Sequence, residues 1–159
     1  MYKHQDNAGA AISLHDRRAE KASFDNGVLT FYFLKDGFWV LSEHEANSTG
    51  EAVRTDASEV RFHLLYETED ESQCYVFDKK SERKAVRKQW TLSELVSAIN
   101  SGKYKLEFLY RYVGGYKEQV FSCWLWSNKK PYDRECQLWL SVRDVTYCWN
   151  EFAECYREK

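Results

Sequence analysis

Proline is almost missing from this chain: Pro131 is the only one, and there are just seven glycines. That composition excludes a collagen-like repeat or a Pro/Gly-rich linker, and it makes each of these residues a marker for a turn. No cysteine pair has CxxC spacing. The five cysteines, Cys74, Cys123, Cys136, Cys148 and Cys155, are odd in number. A disulfide framework and a cysteine zinc site are both disfavoured, so reduced, structural thiols are expected. No apolar run approaches the roughly 20 residues that cross a membrane as a helix. Met1 to Gly9 is polar and has no apolar segment of a signal peptide, so the expected location is cytoplasmic. A net charge of -2 lacks the excess of cations typical of a general nucleic-acid binder. No serine sits in a nucleophile elbow and no glycine-rich phosphate loop exists, so no catalytic residue, metal site or cofactor is assigned.

What the chain does have is aromatic residues: six Trp, eleven Tyr and nine Phe. They are densest between Lys103 and Trp149. Tyr104, Leu106, Phe108, Tyr110 and Tyr112 fall on one phase of a period-two pattern, and Lys103, Lys105, Glu107, Leu109 and Arg111 on the other. Such alternation predicts a strand with one buried face. Gly114-Gly115 follows as a two-residue hairpin turn. Counting outward pairs Tyr110 with Gln119, Phe108 with Phe121, Leu106 with Cys123 and Tyr104 with Leu125, which matches apolar phases across the pair. The loop Ser127 to Asp133 contains Pro131 and reads as a turn. A third strand places Leu138, Leu140 and Val142 inward. Beyond Arg143-Asp144 the apolar phase flips to Val145, Tyr147 and Trp149. That implies either a bulge there or the end of the strand.

Elsewhere, Asn26-Gly27 between Ala19–Phe24 and Val28–Leu34 predicts a tight hairpin, with Phe24 opposite Leu29 and Ala22 opposite Phe31. Asp36-Gly37 suggests a second hairpin that sets Phe33 against Val40. Ala57 to Tyr66 alternates with Val60, Phe62, Leu64 and Tyr66 inward. Gln73–Phe77 and Ala85–Trp90 form a hairpin with a charged tip. Thr91-Leu92-Ser93-Glu94 is a capping box, Leu92, Leu95, Val96 and Ile99 form a helical stripe, and Gly102 is the stop. Residues 1–11 read as a loose lead-in, and 152–159 as a last helical turn or a loose tail. The fold class is α+β, mostly β. About nine antiparallel strands form a sandwich or a strongly curved sheet, with one amphipathic helix at about 91–101, in a single domain over 1–159.

Few residues suggest chemistry. His15-Asp16 lacks the further ligands of a metal-dependent phosphohydrolase and reads as a turn-forming Asp beside a hydrogen-bonded His. Glu43-His44-Glu45 lacks a second histidine and reads as a solvated loop end. His63 falls on the polar phase, exposed or paired across strands. Lys79, Lys80, Arg83 and Lys84, with Arg87 and Lys88, form a basic hairpin tip. It is a solvated tip, or a contact for an acidic protein or RNA; stacking of single-stranded RNA would need Tyr75 and Phe77, which read as core. The candidate binding face is the other side of the aromatic strands: Trp124, Trp126 and Trp139 with Lys105 and Arg143. If no other element covers these rings, they form an aromatic platform rimmed by charge.

Leu14-His15-Asp16, followed by Phe24-Asp25-Asn26-Gly27-Val28-Leu29-Thr30-Phe31, resembles the opening of small bacterial β-rich domains, some of which are similar to immunity proteins of polymorphic toxin systems. The resemblance implies a non-catalytic protein that binds one partner, and it assigns no functional residue. The expectation is a binding domain that recognises a protein, with no membrane attachment. The alternative is a small-molecule binder or enzyme with a pocket between helix and sheet.

Overall fold

The computed structural model describes residues 1–154; Cys155 and the rest of the expected tail, 155–159, lie outside the described residues. The elements run β1 (His4–Asp6), β2 (Ile12–Ser13), β3 (Arg17–Ala19), β4 (Lys21–Asp25), β5 (Val28–Phe33), β6 (Trp39–Val40), β7 (Val53–Arg54), β8 (Ser58–Leu64), β9 (Gln73–Ser81), β10 (Lys84–Trp90), α1 (Leu92–Asn100), β11 (Lys105–Val113), β12 (Glu118–Trp126) and β13 (Asp133–Trp149). Among the described residues ten strands form one antiparallel sheet and β2, β6 and β7 a small second one, so the fold is mostly β with one short helix.

The large sheet is organised by β13. Its first half pairs with β12 and with β9; its second half pairs with β8 and β1. The two halves are joined by a bulge at Arg143, where the register shifts between Val142 and Asp144; of the two explanations for the phase flip, the strand continues through a bulge and does not end. The extra residue bends the strand and reverses its inward phase, so Leu138, Leu140 and Val142 hand over to Val145, Tyr147 and Trp149 without a break. The main path runs β3-β11-β12-β13-β8-β5-β4. Its end strands β3 and β4 are separated only by Glu20, whose N–H donates to the Tyr32 carbonyl at 3.0 Å. The sheet therefore curls round and meets itself at that corner, which is the curved-sheet alternative and not the sandwich.

Inside the curl, Phe31, Phe62, Phe121 and Phe108 come from four different strands and touch in sequence. Their ring centroids lie 6.1, 5.3, 5.4 and 5.2 Å apart around the circuit, all near edge-to-face. That geometry sets the positive ring edge of one phenylalanine against the negative face of the next. Leu106 and Phe108 are both buried, as the alternation requires.

The Asn26-Gly27 hairpin has the expected pairs, Phe24 with Leu29 and Ala22 with Phe31, and both turn residues take positive φ (48° and 72°). The Asp36-Gly37 hairpin does not form. β5 takes β8 as its second neighbour, and the chain after Gly37 leaves to pair with β2 and β7. Gly37 serves close approach instead: a Cβ there would lie 1.8 Å from Thr55 Oγ1 and 2.4 Å from the Asp56 carbonyl oxygen. Tyr66, expected inward, lies past the end of β8 and is exposed. The lead-in is docked, with His4, Gln5 and Asp6 opposite Trp149, Cys148 and Tyr147.

Helix α1 has the complete capping box: Glu94 N–H donates to Thr91 Oγ1 at 3.0 Å, and Thr91 N–H to Glu94 Oε2 at 2.7 Å. Glu69, in the acidic loop between β8 and β9, accepts from Ser93 N–H at 3.1 Å, adding negative charge at the positive helix end. Gly102 stops the helix at φ 75°. Leu92, Leu95 and Ile99 are fully buried, and Val96 is partly so. At the far end Asn100 acts as a piece of strand: its Oδ1 accepts from Ala22 N–H at 2.9 Å and its Nδ2 donates to the Ala22 carbonyl at 2.8 Å. The edge of β4 is thereby covered at Ala22. Asn100→Ala should cost about 1–3 kcal/mol, as two backbone groups lose their partners. Phe108→Ala should cost about 3–5 kcal/mol through the cavity it leaves. Urea unfolding of both variants measures the two effects.

The candidate binding face

The hairpin that carries the aromatic residues is not closed by Gly114-Gly115 alone. The loop spans residues 114–117, Gly114 N–H bonds the Glu118 carbonyl at 3.0 Å, and Tyr116 and Lys117 take the left-handed conformation. As a result Phe108 faces Cys123 instead of Phe121, and Leu106 faces Leu125 instead of Cys123. A slip of two keeps every side chain on its expected face. At Leu109 a bulge adds one more residue, and Tyr110 faces Ser122 instead of Gln119. The odd slip turns Tyr110 and Tyr112 outward, against expectation. They are 58% and 59% exposed.

The registers then define the outer face row by row. One row is Arg18, Glu107, Trp124 and Glu135; the next is Lys105, Trp126 and Asp133. On the other side, Tyr110, Ser122, Gln137 and Tyr75 form a row, then Tyr112, Val120, Trp139 and Gln73. Tyr75 and Phe77 belong to this face and are half-buried, because Cys74 and Val76 take the core positions of β9. The helix contacts β4, β9 and β10, while its apolar side chains enter the core. Of the three indoles on this face Trp139 is 37% exposed, while Trp124 and Trp126 are half-buried.

The rings are held by their neighbours. The Trp126 indole N–H donates to the Glu107 carboxylate, which also binds Arg18 at 3.4 Å. The Arg18 guanidinium lies 4.6 Å from the Trp126 ring centre, an arrangement worth about 0.5–1 kcal/mol at an exposed site. Trp124 packs against Trp126 at 6.5 Å. The Trp139 N–H donates to Gln137 at 3.2 Å, and its ring meets Tyr75 edge-on at 6.3 Å. Arg87 covers Tyr75 at 4.5 Å. Lys105 stands at the margin, bonded to Glu20. Arg143 does not join the indoles. It sits in the β13 bulge, two residues past the last row at Ser141, with Nε on Asp144 at 3.1 Å.

The histidines have local partners. His15 Nδ1 contacts the Leu109 carbonyl at 2.6 Å beside Asp16, which takes the turn conformation (φ 59°). His63 bonds Thr146 across strands at 3.1 Å. His44 is not a solvated loop end: its Nε2 lies 3.2 Å from Asp6 and its ring packs edge-on against Trp149. Among the described residues no three His, Cys, Asp or Glu are grouped to hold a metal ion, and no helix is long and apolar enough to cross a membrane. The helix–sheet seam, where the alternative reading puts a pocket, is packed by Leu92, Leu95 and Ile99.

Behind the face lie Cys74, Cys123 and Cys136, all free and buried, with the Cys74 and Cys136 sulfurs 3.6 Å apart. The contact with Cys74 and then burial push the Cys136 thiol well above its ordinary range, and burial does the same for Cys123. Comparison with protein-family models, curated proteins and solved structures gives no match.

In a Cys155→Ser background, maleimide at pH 8 should leave Cys123 and Cys136 unmodified in the native protein and label both in urea, as read by intact mass. Rapid native labelling would contradict the packing behind the face.

Proposed function

We propose that the protein is a non-enzymatic binding domain that recognises a protein partner through the outer face of β11, β12, β13 and β9, in the manner of an inhibitor or immunity protein. The observation that carries this reading is the exposed aromatic field of Tyr110, Tyr112 and Trp139, continued by half-buried Trp124 and rigidly mounted on paired strands. Large, stiff aromatic side chains lose little entropy on contact and dominate the energetics of many interfaces. The indole N–H groups of Trp126 and Trp139 are already engaged within the face, so a partner meets ring surface without having to desolvate those donors. Charges at the rim, Lys105 and Arg18 among them, would orient the encounter. Free cysteines fit a reducing compartment, and a cytosolic setting belongs to the proposal.

The test is affinity capture from the native cell with wild type, a Tyr112→Ala/Trp139→Ala double variant and a control variant, Tyr66→Ala, whose exposed ring lies in the acidic loop. The same captured protein should be retained by wild type and control and lost by the double variant, at least tenfold in affinity once isolated. The melting temperature of the double variant should stay within a few degrees of wild type. A cooperative loss of stability, or undiminished capture, would remove the face from consideration.

A further inference from the structure

β9 parts from β13 partway along its length. Their pairing runs from Gln73 opposite Trp139 to Val76 opposite Cys136 and stops there. Beyond that point residues 77–81 stay paired with β10, while residues 133–135 stay paired with β12. The facing edges of the two strands no longer bond to each other, and an open groove of about 1080 Å³ lies between them. An open groove of that size, unlike an enclosed small-molecule pocket, can admit a length of chain.

The groove has a charge pattern. Its outer lip is the hairpin tip, with Lys79, Lys80, Arg83 and Lys84 beside Glu82, while Asp133 and Glu135 line the opposite wall. Its floor carries Arg134, whose Nη1 reaches Asp78 at 3.4 Å and whose buried Nε has no hydrogen-bond partner. Asp78 is also bound by Lys88 at 2.6 Å; that bond, aided by Arg134, holds its carboxyl below the usual range. Asp78 is thus already neutralised, and the tip cations are left over. Trp124 belongs both to the groove lining and to the aromatic face, so the two surfaces are continuous.

We propose that this groove receives an extended acidic segment of the protein partner. The inference rests on the reading of the domain as a protein binder. The segment's main chain would pair with the strand edges that β9 and β13 leave open, as in β-strand addition. Its carboxylates would meet the cations left over at the tip, Lys79, Lys80, Arg83 and Lys84. A nucleic acid would find the same cations. It would gain nothing from the open backbone edges, which only another main chain can pair with.

The experiment uses the full chain and a labelled ten-residue peptide of alternating glutamate and valine, followed by fluorescence anisotropy. Wild type should bind it, and affinity should fall with added salt. Lys80→Glu/Arg83→Glu, both on the exposed tip, should weaken binding at least tenfold with an unchanged melting temperature. Trp139→Ala should leave peptide affinity within twofold, which separates the groove from the rest of the face. If capture of the partner survives the aromatic substitutions while the peptide still binds, the face reading fails and the groove stands. Absence of peptide binding, equal binding by the charge-reversed variant, or tighter binding of an oligouridylate of equal length would overturn the inference.

Discussion

Four phenylalanine rings meeting edge to face inside a curled sheet are the contact on which the rest of this structure depends. Phe31, Phe62, Phe108 and Phe121 come from β5, β8 and the β11–β12 hairpin, three parts of the chain far apart in sequence. The circuit can close only if β13 bends, because β12 and β8 flank the same strand at different points along it. The bulge at Arg143 supplies that bend and keeps apolar side chains inward on both sides of it. A continuous core and an outward-facing second surface follow from one inserted residue.

The outer surface owes its character to a second bulge. Without the extra residue at Leu109, Tyr110 and Tyr112 would point into the core and the face would be two separate patches. With it, tyrosines of β11 line up beside Val120 and Trp139 and extend the indoles into one field. Both insertions sit on long strands with strong pairing on either side, where a local kink is stabilised by the ladder around it. The same economy governs the edges. Asn100 closes β4 with two hydrogen bonds, whereas the separation of β9 from β13 leaves a pair of edges open. An edge left open beside a cluster of lysines is guarded against self-pairing by charge, yet remains available to a chain of opposite charge.

The fold class, the tight turn at Asn26-Gly27, the helix with both its caps and the phase flip at Arg143-Asp144 were all legible in the sequence, though the flip left a bulge and a strand end equally open. Each depends on local chemistry: a left-handed turn dipeptide, reciprocal capping side chains, a phase change in apolar residues. The indole face was legible for the same reason, since strand period alone puts Trp124, Trp126 and Trp139 on one side. Tyrosine misled the reading of β11 because its amphipathic ring suits core and surface equally, so a flip at Leu109 leaves the alternation unbroken. The clues were Leu109 itself, an apolar residue on the polar phase, and the pair Gln119-Val120 on the opposite strand, with its polarity reversed.

Strand direction, phase and chain reversals were determined by the sequence itself, because they arise from neighbours two to four residues apart. Which strands lie side by side was decided only in three dimensions. The Asp36-Gly37 turn has a hairpin's composition, but β5 gains more by burying Phe31 and Phe33 against Val60 and Ser58 of β8 than by folding back on its own continuation. Partner choice between strands, the exposure of Tyr110 and Tyr112 and the open groove beside β9 all follow from such competition for buried area. That competition is settled by contacts between residues remote in the chain, and no local pattern records it.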